Sequence, residues 1–403
     1  MNQTVPYQEL KYRWERCRGF LSQFAPQAEG MLIFSKLNIY YFTGTIVNGL
    51  LWLPLQGEPV LLCRRGLERA KLESPLQNIV PYTSYGDILK ILDGLDMPLP
   101  NVAAAEMNGL TWALSMSLTK YLPTVQFISG DKILAMTRAK KSPWELKKMR
   151  IAGAKHNKCL TELLPPLLHE GLSELAISHK LWEVFFAEGH HGIMHMENYG
   201  EEIFLGHVCV GESANYPSVF NGPVGVRGIH PAAPIMGSAQ VAWERHQLLV
   251  IDVGFAWEGY LTDKTQVYWL GDEKSLPDQA RAAHDFCIEI QNEVAAKLKP
   301  GAIPSEIWRQ VLAKAEQSKW AEGFMGLGRN KVSFVAHGIG LAVDEYPVVA
   351  KGFDLPVEEG MVFAIEPKIG LPGLGMVGVE NTFEVTPAGG KCLTGEDYRI
   401  IAV

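Results

Sequence analysis

Four acidic residues stand where an ionised side chain is costly. Asp252 follows Leu248-Leu249-Val250-Ile251, Asp263 follows Tyr260-Leu261-Thr262, Glu366 closes Val362-Phe363-Ala364-Ile365, and Glu380 follows Val377-Gly378-Val379. A carboxylate in such an apolar, β-type run loses its hydration unless a cation or several donors compensate it. Trp257-Glu258-Gly259 supplies a turn between the first two acids. A hairpin centred between Trp257 and Glu258 sets Asp252 directly opposite Asp263, on one face and roughly 5 Å apart. Gly373 is the midpoint of the second pair, so a turn within Leu371–Gly375 makes Glu366 face Glu380; a bulge would shift either register. Like charges so placed repel unless a cation lies between them. With His337 added, the set is rich in oxygen and poor in nitrogen. It suits harder divalent ions such as Mn²⁺, Fe²⁺ or Co²⁺, with Zn²⁺ also accommodated.

The elements that must hold these residues can be read from pattern and punctuation. A chain of 403 residues suits two domains rather than one core. The first 137 residues alternate: an amphipathic helix over 7–24, strand-like Gly30–Phe34 and Val60–Cys63, and helices around Asp87–Leu95 and Met107–Tyr121. Such alternation predicts a small α/β domain. Tyr40, Tyr41 and Phe42 read as strand core. The boundary falls near Arg138, giving domains 1–137 and 138–403. Ser142-Pro143-Trp144-Glu145 then starts a helix: Ser142 caps, Pro143 suits the first position, and Glu145 reaches back. Residues 142–190 and 277–320 read as helical, the latter interrupted near Pro300-Gly301. Strands are expected over 202–210, 247–256, 259–270, 331–336, 361–369 and 376–386, which makes an α+β domain.

Composition excludes several functions. Hydrophobic residues at 47% and charged residues at 20% are a globular balance that argues against disorder. A net charge of −7 gives no electrostatic footprint for nucleic acid or an anionic membrane. The longest apolar runs fall far below the roughly 20 residues of a spanning helix. Met1-Asn2-Gln3-Thr4 lacks the plan of a leader peptide, so a cytoplasmic location is expected. The six cysteines are dispersed with no CxxC pair, which reads as buried free thiols. His190, His191 and His195 follow a helix and read as solvent-facing or capping histidines. Gly222–Gly228 lacks a P-loop Lys-Ser/Thr, and no Gly-x-Ser-x-Gly elbow occurs.

The segment Asp252-Val-Gly-Phe-Ala-Trp-Glu-Gly-Tyr-Leu-Thr-Asp263 resembles the DxGxxxxGYxxD signature of the pita-bread metallopeptidases. His337-Gly-Ile-Gly-Leu341, Gly360–Pro367 and Gly378-Val-Glu380-Asn381-Thr382 resemble the remaining blocks, in the same order. Asn38–Gly44 and Arg138–Glu145 are similar to fragments of the creatinase/prolidase-type leading domain, so the likeness spans nearly the whole chain. The resemblance implies a pita-bread catalytic domain behind a smaller α/β domain, and a homodimer. It also implies two divalent ions, Mn²⁺ foremost. Asp252 would chelate one ion, Asp263 and Glu380 would bridge both, His337 would bind one and Glu366 the other. A hydroxide held between the ions would be the nucleophile, and Glu366 would shuttle the proton that the bound water loses in forming it. The imidazole that steadies the oxyanion is expected at His230, in Gly228-Ile-His-Pro-Ala-Ala-Pro234, with a small insertion within Met236–Glu244; His207 is second choice.

The chain departs from the pattern in two places. Asp344 stands seven residues after His337, where such peptidases carry a second catalytic histidine. Gln266 replaces the arginine expected after the second aspartate. A carboxylate donates a hydrogen bond only when protonated, and glutamine cannot pair a carboxylate bidentately. Lys264 should face away from Asp263. The expected activity is therefore metal-dependent exopeptidase cleavage of Xaa-Pro bonds in small peptides. Hydrolysis or lysis of a small amide or related metabolite is the alternative.

Overall fold

The computed structural model describes residues 4–97, 99–197, 201–329 and 331–403. Residues 1–3, part of the segment read for a leader, lie outside them. The chain divides into two compact units, Met1–Arg138 and Ala139–Val403.

The first unit carries a six-stranded sheet in the order Asn78–Pro81, Val60–Arg65, Asn48–Pro54, Gly30–Ile33, Val102–Ala105, Gln126–Ser129. Its central pairings are antiparallel and its outer ones parallel. Tyr40, Tyr41 and Phe42 are not strand residues; they lie in the helix Lys36–Thr43. The Ser35 side chain accepts from the Asn38 amide at its start, and Gly44, at φ 77°, ends it in a left-handed cap. Those two caps override the β preference of the aromatic run.

In the second unit Ser142 and Glu145 form the expected capping box at the head of the helix Pro143–Lys158. The helical stretch breaks at Pro165-Pro166 and resumes as Glu174–Ala187, capped by Ser173. Asp278–Lys297 and Pro304–Glu316 are separate helices on either side of Pro300-Gly301. Two larger sheets lie among them, besides the short pairs Ile193–His195 with Glu202–Phe204 and Lys368–Leu371 with Gly375–Gly378. One runs in the order Ile401–Ala402, Tyr260–Trp269, Leu248–Trp257, Gly206–Val210. The other runs Glu345–Ala350, Phe334–Gly338, Val362–Ile365, Asn381–Thr386, Gly389–Cys392. The strand Glu345–Ala350 was not foreseen from sequence.

Side-chain alternation decides what each strand face meets. Leu249, Ile251, Val253 and Phe255 enter one core, while Leu248 and Val250 enter the other, together with Val267 and Trp269 of the neighbouring strand. Asp252 and Asp263 continue that second face. The sheets meet at the acids: the Thr265 amide donates to the Glu380 carbonyl at 3.1 Å, and the Asp263 amide to Thr382 Oγ1 at 2.8 Å.

The first hairpin corrects the expected register. Its loop is the two residues Glu258 and Gly259, with φ 48° and 89°, and Trp257 pairs Tyr260. Both central residues sit at positive φ, which is the tight turn whose twist matches the strands. Asp252 therefore pairs Thr265, and Asp263 pairs Gly254. The two acids are diagonal neighbours rather than direct partners. They keep a common face because the register differs by an even number of residues. In the second hairpin Ile365 pairs Asn381 and Lys368 pairs Gly378, so Glu366 and Glu380 stand at facing positions.

Candidate metal centre

Five side chains, three within strands and two at the ends of two others, converge in one cavity: Asp252, Asp263, His337, Glu366 and Glu380. One ligand atom each from Asp263, His337 and Glu380 lies within 4.8 Å of the others. His337 Nε2 is 3.5 Å from Glu366 Oε1 and 3.7 Å from Glu380 Oε1. His337 Nδ1 lies 3.0 Å from the Gly338 carbonyl. A proton donated there leaves Nε2 as the ligating nitrogen.

Two residues of the centre were missed from sequence. Thr265 Oγ1 is 2.6 Å from Asp252 Oδ1 and 3.1 Å from Glu380 Oε2. Lys368, with no exposed surface, places Nζ 2.6 Å from Glu380 Oε2, 3.1 Å from Glu366 Oε2 and 3.4 Å from Asp252 Oδ1. Its signal was its spacing: two residues after Glu366 in extended chain, a side chain returns to the same face.

The other expected residues divide. Asp344 lines the cavity, and its Oδ1 accepts from the Glu197 amide at 2.7 Å. Burial raises its pKa. Its loop is fixed by buried Glu345, which accepts from the Leu341 and Ala342 amides and from Lys141. His230 is exposed and is not among the cavity residues; its Nδ1 accepts from the Ala232 amide in a local turn. The expectation for His230 is thus corrected, because its H-x-x-P segment turns back on itself instead of reaching the cavity. His207, the cross-strand partner of Asp252 on Gly206–Val210, lines the cavity instead. It is buried, its Nε2 has no partner among the described residues, and burial and the nearby Lys368 charge lower its pKa to about 4. Its other nitrogen bonds the Val224 carbonyl, so the neutral ring offers Nε2 as an acceptor rather than an oxyanion donor. Gln266 points away, to the Arg399 and Val267 carbonyls, and Lys264 bonds Asn381 Oδ1 at 2.8 Å. His190 is buried, not solvent-facing: Nδ1 accepts from the Ala256 amide and Nε2 donates to the Gly192 carbonyl. All six cysteines are free, five of them buried.

The electrostatics report a site built for positive charge. Burial and mutual repulsion push Asp252 and Asp263 well up, and Glu366 to about 7. Burial also opposes the Glu380 charge, but Lys368 and His337 overcome it and hold that carboxyl well below the usual range. Burial disfavours protonated His337, yet the Glu380 hydrogen bond and the Glu366, Glu380 and Asp263 charges carry it up to about 10. The donor set fits a divalent ion at Asp263, His337 and Glu380, with Glu366 beside it.

Metal ligands must shed their protons, so an ion competes with protons here. With His337 at about 10 and Glu366 at about 7, both gain from protonation at and below neutral pH. Metal affinity should therefore rise with pH up to about 10, most steeply below about 7, with about two protons released per ion at the acid end and about one above neutrality. Calorimetry in buffers of different ionisation enthalpy measures that release; a flat affinity with no release would contradict the assignment.

The profile described as metallopeptidase family M24 matches residues 147–387, and the creatinase/prolidase N-terminal domain profile matches residues 13–140. The Xaa-Pro dipeptidase of Lactobacillus helveticus is 27% identical over 336 residues, covering 79% of this chain and 81% of the relative. That of Pyrococcus furiosus is 24% identical over 401 residues, covering 97% and 100%. Among solved structures, the Xaa-Pro dipeptidase from Bacillus anthracis superposes with a TM-score of 0.79 at 20% identity, covering 98% of this chain and 100% of the other. An X-Pro aminopeptidase from Thermotoga maritima gives 0.77 at 22%, covering 97% and 99%. At those identities the likeness speaks for the fold.

Proposed function

Because the chain belongs to metallopeptidase family M24, we propose that it is a metal-dependent exopeptidase hydrolysing Xaa-Pro bonds of small peptides. The observation that carries this reading is the convergence of Asp263, His337, Glu380 and Glu366 in one cavity. We assign residues 138–403 as the catalytic domain and 1–137 as the leading domain. Mn²⁺ is the ion we favour, with Co²⁺, Fe²⁺ or Zn²⁺ as substitutes, because oxygen ligands dominate the set. Unpaired thiols agree with a reducing cytoplasm.

When bound, the metal supplies Lewis acidity, polarising the scissile carbonyl and acidifying water. The rest falls to side chains. Asp263, His337 and Glu380 would hold the ion, and Glu366, at about 7, is poised to take a proton from water and return it to the leaving amine. Met194, Ile203, Phe220, Phe334 and Val348 give the cavity an apolar wall that suits a proline ring. Asp344, at the same wall, favours a cationic peptide amine over a free carboxylate.

Metal-loaded protein should cleave Xaa-Pro dipeptides or tripeptides in preference to Xaa-Ala analogues. Activity should vanish with chelator and return with Mn²⁺. Restoring the imidazole by Asp344→His should raise Xaa-Pro turnover by about tenfold, the worth of one recovered hydrogen bond. Steady-state assays read both. A loaded protein that ignores peptides but hydrolyses a compact amide would overturn the substrate assignment.

A further inference from the structure

Two divalent ions are what the resemblance implies, yet a cation already stands in one part of the centre. The Lys368 ammonium is fully buried and contacts Glu380, Glu366 and Asp252 at 2.6, 3.1 and 3.4 Å. Each glutamate divides its oxygens the same way: Glu366 Oε1 and Glu380 Oε1 face His337 Nε2, while both Oε2 atoms face Lys368 Nζ. The carboxylates thus bridge an imidazole side and an ammonium side. On the ammonium side Thr265 Oγ1 also lies against Asp252 Oδ1 and Glu380 Oε2, the oxygens that a second ion would need. Asp252 accordingly stands outside the group of ligand atoms that Asp263, His337 and Glu380 form.

The backbone makes room for this arrangement. Lys368 pairs Gly378 across the hairpin, and a Cβ at Gly378 would lie 2.7 Å from Lys368 Cα and 3.0 Å from its Cγ. Any side chain at 378 would press on the lysine stem. An ammonium and a divalent ion cannot share that spot: they repel strongly at such short range, and both need the same oxygens.

We infer that Lys368 is a built-in cation occupying one of the two metal positions, so that the centre holds a single divalent ion at Asp263, His337 and Glu380. The inference rests on the reading above that this centre binds metal. The ammonium anchors Asp252 and orients both glutamates, leaving one ion as the exchangeable component.

Equilibrium dialysis against excess Mn²⁺, followed by metal analysis, counts the ions. Wild-type protein should take up one per chain, with the electron paramagnetic resonance spectrum of an isolated Mn²⁺ ion. Lys368→Ala should raise the count to two and add the signature of an exchange-coupled pair. Two coupled ions in the wild type, or a count unchanged by Lys368→Ala in a folded variant, would overturn the inference. If the variant does not fold, the wild-type count decides alone. A wild type that binds no ion would instead remove the metal-dependent reading on which the inference depends.

Discussion

Replacing Asp263 or Glu380 with alanine is expected to empty the centre and lower kcat/KM by at least about three orders of magnitude, since bound metal supplies several kcal/mol of transition-state stabilisation. Both residues belong to the group whose ligand atoms lie within 4.8 Å of one another. Glu380 also reaches both the imidazole and the ammonium, so its loss leaves the two buried cations with Glu366 as the one carboxylate that still touches both. Metal content and peptide turnover should fall together. A variant that keeps near-normal activity would show that its residue does not hold the ion.

Glu366→Gln should leave much of the geometry in place and cost about 10²–10⁴-fold in kcat, the usual worth of a positioned proton carrier. Burial and the neighbouring Glu380 charge bring this carboxyl to about 7, where it can both accept and return a proton at neutral pH. Its effect should therefore appear in kcat with little change in KM, and the acidic limb of the wild-type pH profile should disappear. Metal content measured alongside separates a lost proton carrier from a lost ligand. A normal kcat would assign the proton transfer elsewhere.

Much of the centre was legible because burying charge is costly: Asp252, Asp263, Glu366 and Glu380 drew notice by standing in apolar strands. Their common faces follow from period-two alternation, and Gly373 at the tip locates the second register. The first register was read one turn position too early, because nothing in Trp257-Glu258-Gly259 announces that Glu258 adopts a positive φ. The local motif favours His230, whereas access to the cavity depends on a loop that returns on itself and on sheet pairing that brings His207 beside Asp252. Lys368 is hidden in the sequence for a different reason. A lysine in a strand ordinarily reads as a solvent-facing residue, and only its spacing from Glu366 placed it among the acids. The helix Lys36–Thr43 was hidden by aromatic residues whose strand preference yields to caps at both ends.

Anomalous diffraction from crystals grown with Mn²⁺, recorded at the manganese edge, addresses the metal assignment without reliance on any substrate. The predicted result is a peak in contact with Asp263, His337 Nε2 and Glu380. Metal-saturated crystals with no peak among those three side chains would contradict it.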